Sequence, residues 1–444
     1  MPDMTGPSAR TSNTRTILTL LAMSLLLLAV LGLGVFWSMA RQAHKAGDEL
    51  VAEARTLTAL RRVRPSHVAP PTPGTFAQAI GPLMPELIRF HRANPEPRSP
   101  VNQACRDVRN GKRPFAELPH ECREALEHGR PMMQRALLAS RTEEAGLPEA
   151  LQALSASQYS HGDESWPAFQ HVLELAALEM RFQLQDGQAD AALEICFDAL
   201  GLARDVGHGG GLHGAMFSVS GYETLFQPCA DALHLATISG RSKATVALRR
   251  IREGLSPLSS AMRETRVAGA LLLLGLTLDR EQFDALPPGA RDIPSLDMFH
   301  LGPDVPILGP FIIRHAGVEL MRIEARAMAL ADLPASTRGP RLEALSKSFE
   351  RSWNPILRQG SPDFATYAVQ VDRQRAQVDL LLALALVEAH HTKHGTWPSA
   401  LPPLYPEHEV LLPTALKLEQ DEEGKLRLTP EDASLQQLAL TASP

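Results

Sequence analysis

Residues Ile17 to Met39, ILTLLAMSLLLLAVLGLGVFWSM, make 23 consecutive positions without a charge. A helix of that length covers about 30 Å of hydrocarbon, so the run reads as one transmembrane helix. Ser38 and Ala40 would suit a signal-peptide cut before Arg41. A signal core, however, is only about 7–15 apolar residues long, so the segment reads as an uncleaved anchor. Trp37 falls where an interfacial aromatic belongs. Two further apolar stretches, Val267–Leu278 and Leu380–Val387, are too short to span and read as buried helices. The chain is expected to cross a membrane once.

Arg10 and Arg15 precede the apolar run, while Arg41, Lys45 and Arg55 follow it. Charge therefore flanks both ends. The expected arrangement is a short cytoplasmic tail (1–16), the transmembrane helix (17–39) and a periplasmic remainder, anchored in a bacterial inner membrane. The cysteines agree with that side. Cys105 and Cys122 bracket a turn-like Asn110-Gly111-Lys112-Arg113-Pro114 and form a candidate disulfide. Cys196 and Cys229 suit apolar helix faces and read as buried free thiols, and no pair has the C-x-x-C spacing of a zinc or redox site. With 44% hydrophobic and 21% charged residues over 444 positions, most of the chain should fold as a globular protein. A net charge of -6 and only 5% aromatics argue against nucleic-acid binding.

Residues 40–75 read as a helical stalk of mixed charge that ends in Pro65, Pro70, Pro71, Pro73 and Gly74, a semi-rigid linker. Residues 76–394 read as an all-helical body. Ser165-Trp166-Pro167 opens its clearest helix, with Leu173, Ala176, Ala177, Met180 and Leu184 three and four apart. Gly187 ends it, and Asp190 opens a second helix carrying Ala192, Ile195, Cys196, Ala199, Leu202 and Val206 on one face. The pair predicts an antiparallel hairpin, similar to a single tetratricopeptide-type unit, within a looser stack of helix pairs. Further helices are expected from Ser256-Pro257 to Leu278, from Pro310 to Leu330 and from Ser361-Pro362-Asp363 to His394. Prolines and glycines over Leu286–Leu308 predict a long loop there. In the last segment, 395–444, Leu416-Lys417-Leu418-Glu419 and Lys425-Leu426-Arg427-Leu428 alternate around Asp421-Glu422-Glu423-Gly424 and predict a β-hairpin appendage. The fold class is therefore all-α with a small C-terminal β element.

The helix that ends at His394-Gly395-Thr396-Trp397-Pro398-Ser399-Ala400-Leu401, followed by the hairpin, is locally similar to the globular start of type II secretion pseudopilins. The pilin-type cleavage site with its following Glu is missing from the N-terminus. Over roughly residues 165–430 the chain more closely resembles single-pass, membrane-anchored helical proteins of Gram-negative bacteria. The features shared are a helix ending like Ala199-Leu200-Gly201-Leu202-Ala203-Arg204-Asp205, a Gly-rich break, long helices and the Gly-Thr-Trp-Pro ending. That resemblance implies a membrane-anchored helical fold and brings no established activity with it.

Two motifs carry histidines. Gly207-His208-Gly209-Gly210-Gly211-Leu212-His213-Gly214 is similar to the oxyanion-hole loop of lipases. Neither a Gly-x-Ser-x-Gly elbow nor alternating strands accompany it, so it reads as a flexible break between helices. Glu388, His390, His391 and His394 cluster at a helix end, where polar and cationic residues suit the dipole. His390 and His394, four apart, and His208 with His213 are the weak metal-ligand candidates. Arg263, Glu264, Arg266, Arg322, Glu324 and Arg326 have spacing suited to salt bridges along their helices. Trp353 and Trp397 read as packing anchors. No phosphate loop or dinucleotide fingerprint is present, and no cofactor and no catalytic residue are expected. The sequence thus predicts an interaction or scaffolding protein of the cell envelope with a protein partner and no nucleic acid. The alternatives are a metal-dependent hydrolase using the histidines and an accessory component of a secretion or pilus-like system.

Overall fold

The first helix is far longer than the apolar run that begins it: α1 (Arg10–Ala59) is 50 residues of uninterrupted helix, about 75 Å long. The computed structural model describes residues 10–93, 100–155, 164–291, 308–360, 362–406, 410–420 and 425–442. Among these residues α1 is the one helix long and apolar enough to cross a membrane, and its apolar window is wholly exposed. From Phe36 onward one face turns inward. Phe36, Met39 and Ala40 are half-buried, and Ala43, Ala46, Leu50, Val51, Ala54 and Leu57 are buried, at the three- and four-residue spacing of a packed stripe. Gly47 lets a neighbour come close, since a Cβ there would lie 2.8 Å from Leu278. The expected stalk is therefore a core helix, because its apolar positions, not its charges, decide where it goes.

The expected proline-rich linker is likewise part of the body. Residues 60–75 form a strap that ends in β1 (Thr72–Thr75), which pairs in parallel with β2 (Thr142–Glu144). Four helices follow: α2 (Phe76–Ile80), α3 (Met84–Ala93), α4 (Pro100–Arg109) and α5 (His120–Leu138). The predicted hairpin is α6 (Ser165–Gln185) with α7 (Ala189–Val206), and Gly187 takes a φ of 72° in its turn. Next come α8 (Gly211–Leu235) and α9 (Ile238–Glu253). The following helices are α10 (Leu258–Leu274), α11 (Arg280–Asp284) and α12 (Pro288–Arg291). Most of the loop expected over 286–308 lies outside the described residues.

Three elements complete the helical part: α13 (Leu308–Ala331), α14 (Ala335–Glu350) and α15 (Pro355–Gln359). The last helix, α16 (Phe364–His394), packs against α8, α9 and α14, and all but one of the residues from Ala376 to Glu388 are buried. A helix so distant in sequence, inserted beside α8 and α9, interrupts the sequential order in which the other helices pack. The C-terminal sheet is antiparallel, in the order β3 (Leu416–Gln420), β4 (Leu426–Pro430), β5 (Leu440–Ala442). It has one strand more than the expected hairpin. Leu426, Leu428, Leu435 and Leu440 place it in the main hydrophobic core, so it is no detached appendage.

Candidate functional site: a cation-rich groove beside the strap

Two aspartates on α7, Asp198 and Asp205, face the strap seven residues apart, two turns of one helix. Arg64 grips Asp205 with both ends of its guanidinium, Nε to Oδ1 at 2.9 Å and Nη2 to Oδ2 at 2.6 Å. Arg204 adds Nε to Oδ1 at 2.8 Å and donates to the Pro65 carbonyl at 2.9 Å. Ser140 and Thr142 carbonyls accept the remaining Arg64 donors. These three charged side chains are essentially removed from water. Burial alone would raise the Asp205 carboxyl, but the Arg204 and Arg64 guanidiniums outweigh it and hold the group below the usual carboxylate range.

One layer out, His67 Nε2 donates to Asp198 Oδ1 at 2.8 Å. Arg141 takes the same carboxylate bidentately, at 2.7 and 2.6 Å. Burial lowers the His67 imidazole despite Asp198 beside it, so the ring is neutral near pH 7. Gly201 is needed under that ring, because a Cβ there would stand 2.8 Å from its Cε1. The sequence Ala199-Leu200-Gly201-Leu202 thus reads as an ordinary apolar helix, yet its glycine is where the strap histidine sits.

The strap, α7 and α9 enclose an open groove of about 540 Å³. Val68, Phe197 and Val246 form its apolar walls; of the lining charges, Arg141 is bound to Asp198, Lys243 lies 3.9 Å from Glu194, and Arg250 approaches the Ser66 carbonyl at 3.5 Å. Cations outnumber carboxylates. His67 also lines the groove, but its Nε2–H is given to Asp198, its Nδ1 is buried without a partner among the described residues, and Arg141 is fixed on the same carboxylate. The arrangement can present an acid-binding, partly apolar surface, and its histidine is engaged in holding the strap.

The residues singled out from sequence lie elsewhere. His208 is buried, donates Nε2 to the Gly254 carbonyl at 2.8 Å and is pushed down to about 4 by burial. His213 packs against Trp166 and Phe217, 5.0 and 5.1 Å between ring centres. Two amides of this segment are already occupied: Gly211 N–H donates to Glu264 and Leu212 N–H to Thr265, at 2.9 and 2.8 Å. Gly209 and Gly211 take φ of 95° and 61°, and a Cβ on Gly210 would meet Trp166 at 2.7 Å. At the other cluster, His390 donates Nδ1 to the Thr396 carbonyl at 3.0 Å, with the His394 ring 4.5 Å from its own. His391 stacks on Trp397, while Glu388 turns away to accept from His234 at 2.7 Å. Among the described residues, no group of three or more His, Cys, Asp or Glu is placed to hold a metal ion.

The charged residues expected to pair along their own helices pair mainly across helices. Arg263 and Arg266 reach Glu53 of α1 at 2.7 and 3.1 Å, and Glu264 binds Arg62 at 2.9 Å. Arg322 keeps a weak contact with Glu319 at 3.5 Å and donates to Gln42 at 2.8 Å. Glu324 is buried beside Arg266, and its Oε2 has no hydrogen-bond partner among the described residues. Burial raises that carboxyl to about 8.

All four cysteines are bridged. Cys105 joins Cys122, with Cα atoms 6.1 Å apart. Cys196 and Cys229, expected as free thiols, are joined as well, Cα to Cα 5.6 Å, and tie α7 to α8 where the two helices pack. Closing that 33-residue separation restricts the unfolded chain by about 4 kcal/mol in the loop-entropy account.

The strap contacts escaped sequence reasoning because they join residues more than 130 positions apart. The one local signal is Asp198 and Asp205 recurring on a helix that is otherwise almost entirely apolar and buried. Comparison with family models, with curated proteins and with solved structures finds no match to this chain.

Proposed function

We propose that this chain is a single-pass, membrane-anchored envelope protein that holds an acidic segment of a partner protein in the groove between strap, α7 and α9. The observation that carries this reading is the groove itself: an open, partly apolar cleft with one cation, Arg250, beyond those its two carboxylates pair with, and whose histidine binds Asp198 to hold the strap. A cleft of this kind suits binding better than acid–base turnover, because the remaining ring nitrogen of His67, Nδ1, has no hydrogen-bond partner among the described residues but is buried against Gly201 and does not reach the open cleft. The continuity of α1 from the apolar run into the core supports a scaffold role, because it sets the groove at a fixed height above the bilayer. Two disulfides support a periplasmic body, since such bridges persist in oxidising compartments.

The test is a photo-crosslinking residue at Val246, which is exposed on the groove wall, in intact cells expressing the full chain. A discrete protein adduct is expected, reduced at least several-fold by Arg250→Glu, which reverses a lining charge. Absence of any adduct from Val246, or an adduct unaffected by Arg250→Glu, would overturn the reading.

A further inference from the structure

We infer that the helical body touches the bilayer a second time, through the Trp353 loop and the first turns of α13, which lie in the lipid headgroup layer beside α1. The inference rests on the reading of residues 17–39 as the membrane span, and adds a lipid contact that this span alone does not require.

The helix supplies a ruler. Phe36 lies three residues, about 5 Å, before the end of the uncharged run at Met39, which is the interfacial edge of a spanning helix. The Phe311 ring of α13 lies 5.0 Å from the Phe36 ring, and the Trp353 ring stacks 6.3 Å from Phe311. Two ring contacts therefore carry the body down to the level of the apolar run. Farther along, Arg322 of α13 donates to Gln42 of α1 at 2.8 Å. Phe36 meets Phe311 and Gln42 meets Arg322, so the two helices climb away from the membrane in the same sense. The N-terminal end of α13 is its membrane-facing end.

The residues at that level have the matching chemistry. Phe311, Ile312 and Ile313 are consecutive and all half-exposed, although a helix turns about 100° per residue and can bury only part of such a run. Trp353 is 59% exposed, yet it is held firmly. Its neighbour Asn354 is fully buried and donates Nδ2 to the Ile312 carbonyl at 2.8 Å, and the His315 ring lies 4.5 Å from the indole. A rigidly presented indole gains little in water, whereas the interfacial layer takes its apolar body and its N–H together. Trp37 on α1 is 67% exposed, with the Arg41 guanidinium 5.7 Å from its ring centre, and extends the same belt. Arg351 and Arg358, both exposed, flank Trp353 and suit anionic headgroups. If α1 spans, the bilayer is already adjacent to this patch, which is why lipid and not a second protein is the occupant.

The experiment uses the full chain in vesicles of mixed zwitterionic and anionic phospholipid with brominated acyl chains, which quench indoles at or below the headgroup layer. Three variants are compared: Trp353→Phe, Trp37→Phe and the double variant. Trp166 and Trp397 are common to all three, and far-UV circular dichroism verifies that each is folded. Trp353→Phe retains Trp37 and reports the anchor alone, so quenching there establishes insertion. The Trp37→Phe protein is expected to be quenched substantially, with at least half of that quenching lost in the double variant. Equal quenching of Trp37→Phe and the double variant, with Trp37 quenched in Trp353→Phe, would overturn the second contact while leaving the anchor standing. No quenching of Trp37 would overturn the anchor and this inference with it.

Discussion

Replacing Asp205 with Ala is expected to destabilise the body by about 3–5 kcal/mol, enough to unfold a domain of ordinary stability. The carboxylate is shared by two guanidiniums, Arg64 and Arg204, that have no access to water. Without it the carbonyls of Pro65, Ser140 and Thr142 still accept their hydrogen bonds but carry no full charge to offset two buried cations. Asp205→Asn keeps the shape and removes the charge, so it should cost nearly as much. Replacing Arg64, Arg204 and Asp205 together by apolar residues of similar volume should restore most of the loss, because the penalty lies in breaking the cluster. Urea unfolding of the full chain in detergent, followed by far-UV circular dichroism, measures all three. The carboxyl is held below its ordinary 3.8, so its contribution is present above that value and is lost as pH falls through the lower folded value. Near neutral pH this site is silent to acidity.

Glu324 behaves in the opposite sense. Burial raises its carboxyl from 4.5 to about 8, and Arg266, the nearest cation, offsets this only in part because it is shared with Glu53 of α1. A carboxyl with a raised folded value binds its proton more tightly folded than unfolded. Its contribution is full below pH 4.5 and disappears as pH rises through about 8. The complete shift is worth on the order of 5 kcal/mol, most of it lost between pH 5 and 8. Glu324→Gln removes the titration, so the variant should be more stable than the native chain at pH 8 and show a flatter stability profile. The measurement is the urea midpoint of both proteins at intervals from pH 5 to 9. Parallel profiles would show that Glu324 is already ionised at neutral pH.

What could be read from the sequence was local. The apolar run, the α6–α7 hairpin with its Gly187 turn and the alternation in β3 and β4 each follow from periodicity within a few turns. The misread segments are those whose partners are distant. Residues 40–75 look like stalk and linker by composition, yet Leu50, Ala54 and Leu57 meet α10 and α13, and Arg64 and His67 meet α7. Buried cysteines produce the same helix-face pattern whether bridged or free, so the Cys196–Cys229 link could not be told from spacing. Histidine spacing alone does not say what the rings bind. His390 and His394 are neighbours on α16, but the αL turn at Gly395 brings the Thr396 carbonyl back onto His390. The candidate groove was invisible because its three walls come from positions 67–69, 141 and 194–250.

The most direct test of the account is the side of the membrane on which the body lies. Two reporters are fused in parallel to the C-terminus of the full chain, one active only in the periplasm and one active only in the cytoplasm, and cysteine thiols are alkylated in the same intact cells. The account predicts activity from the periplasmic reporter alone and no thiol available before reduction, with four alkylated afterwards. Activity from the cytoplasmic reporter, with Cys105, Cys122, Cys196 and Cys229 alkylated without reduction, would contradict it.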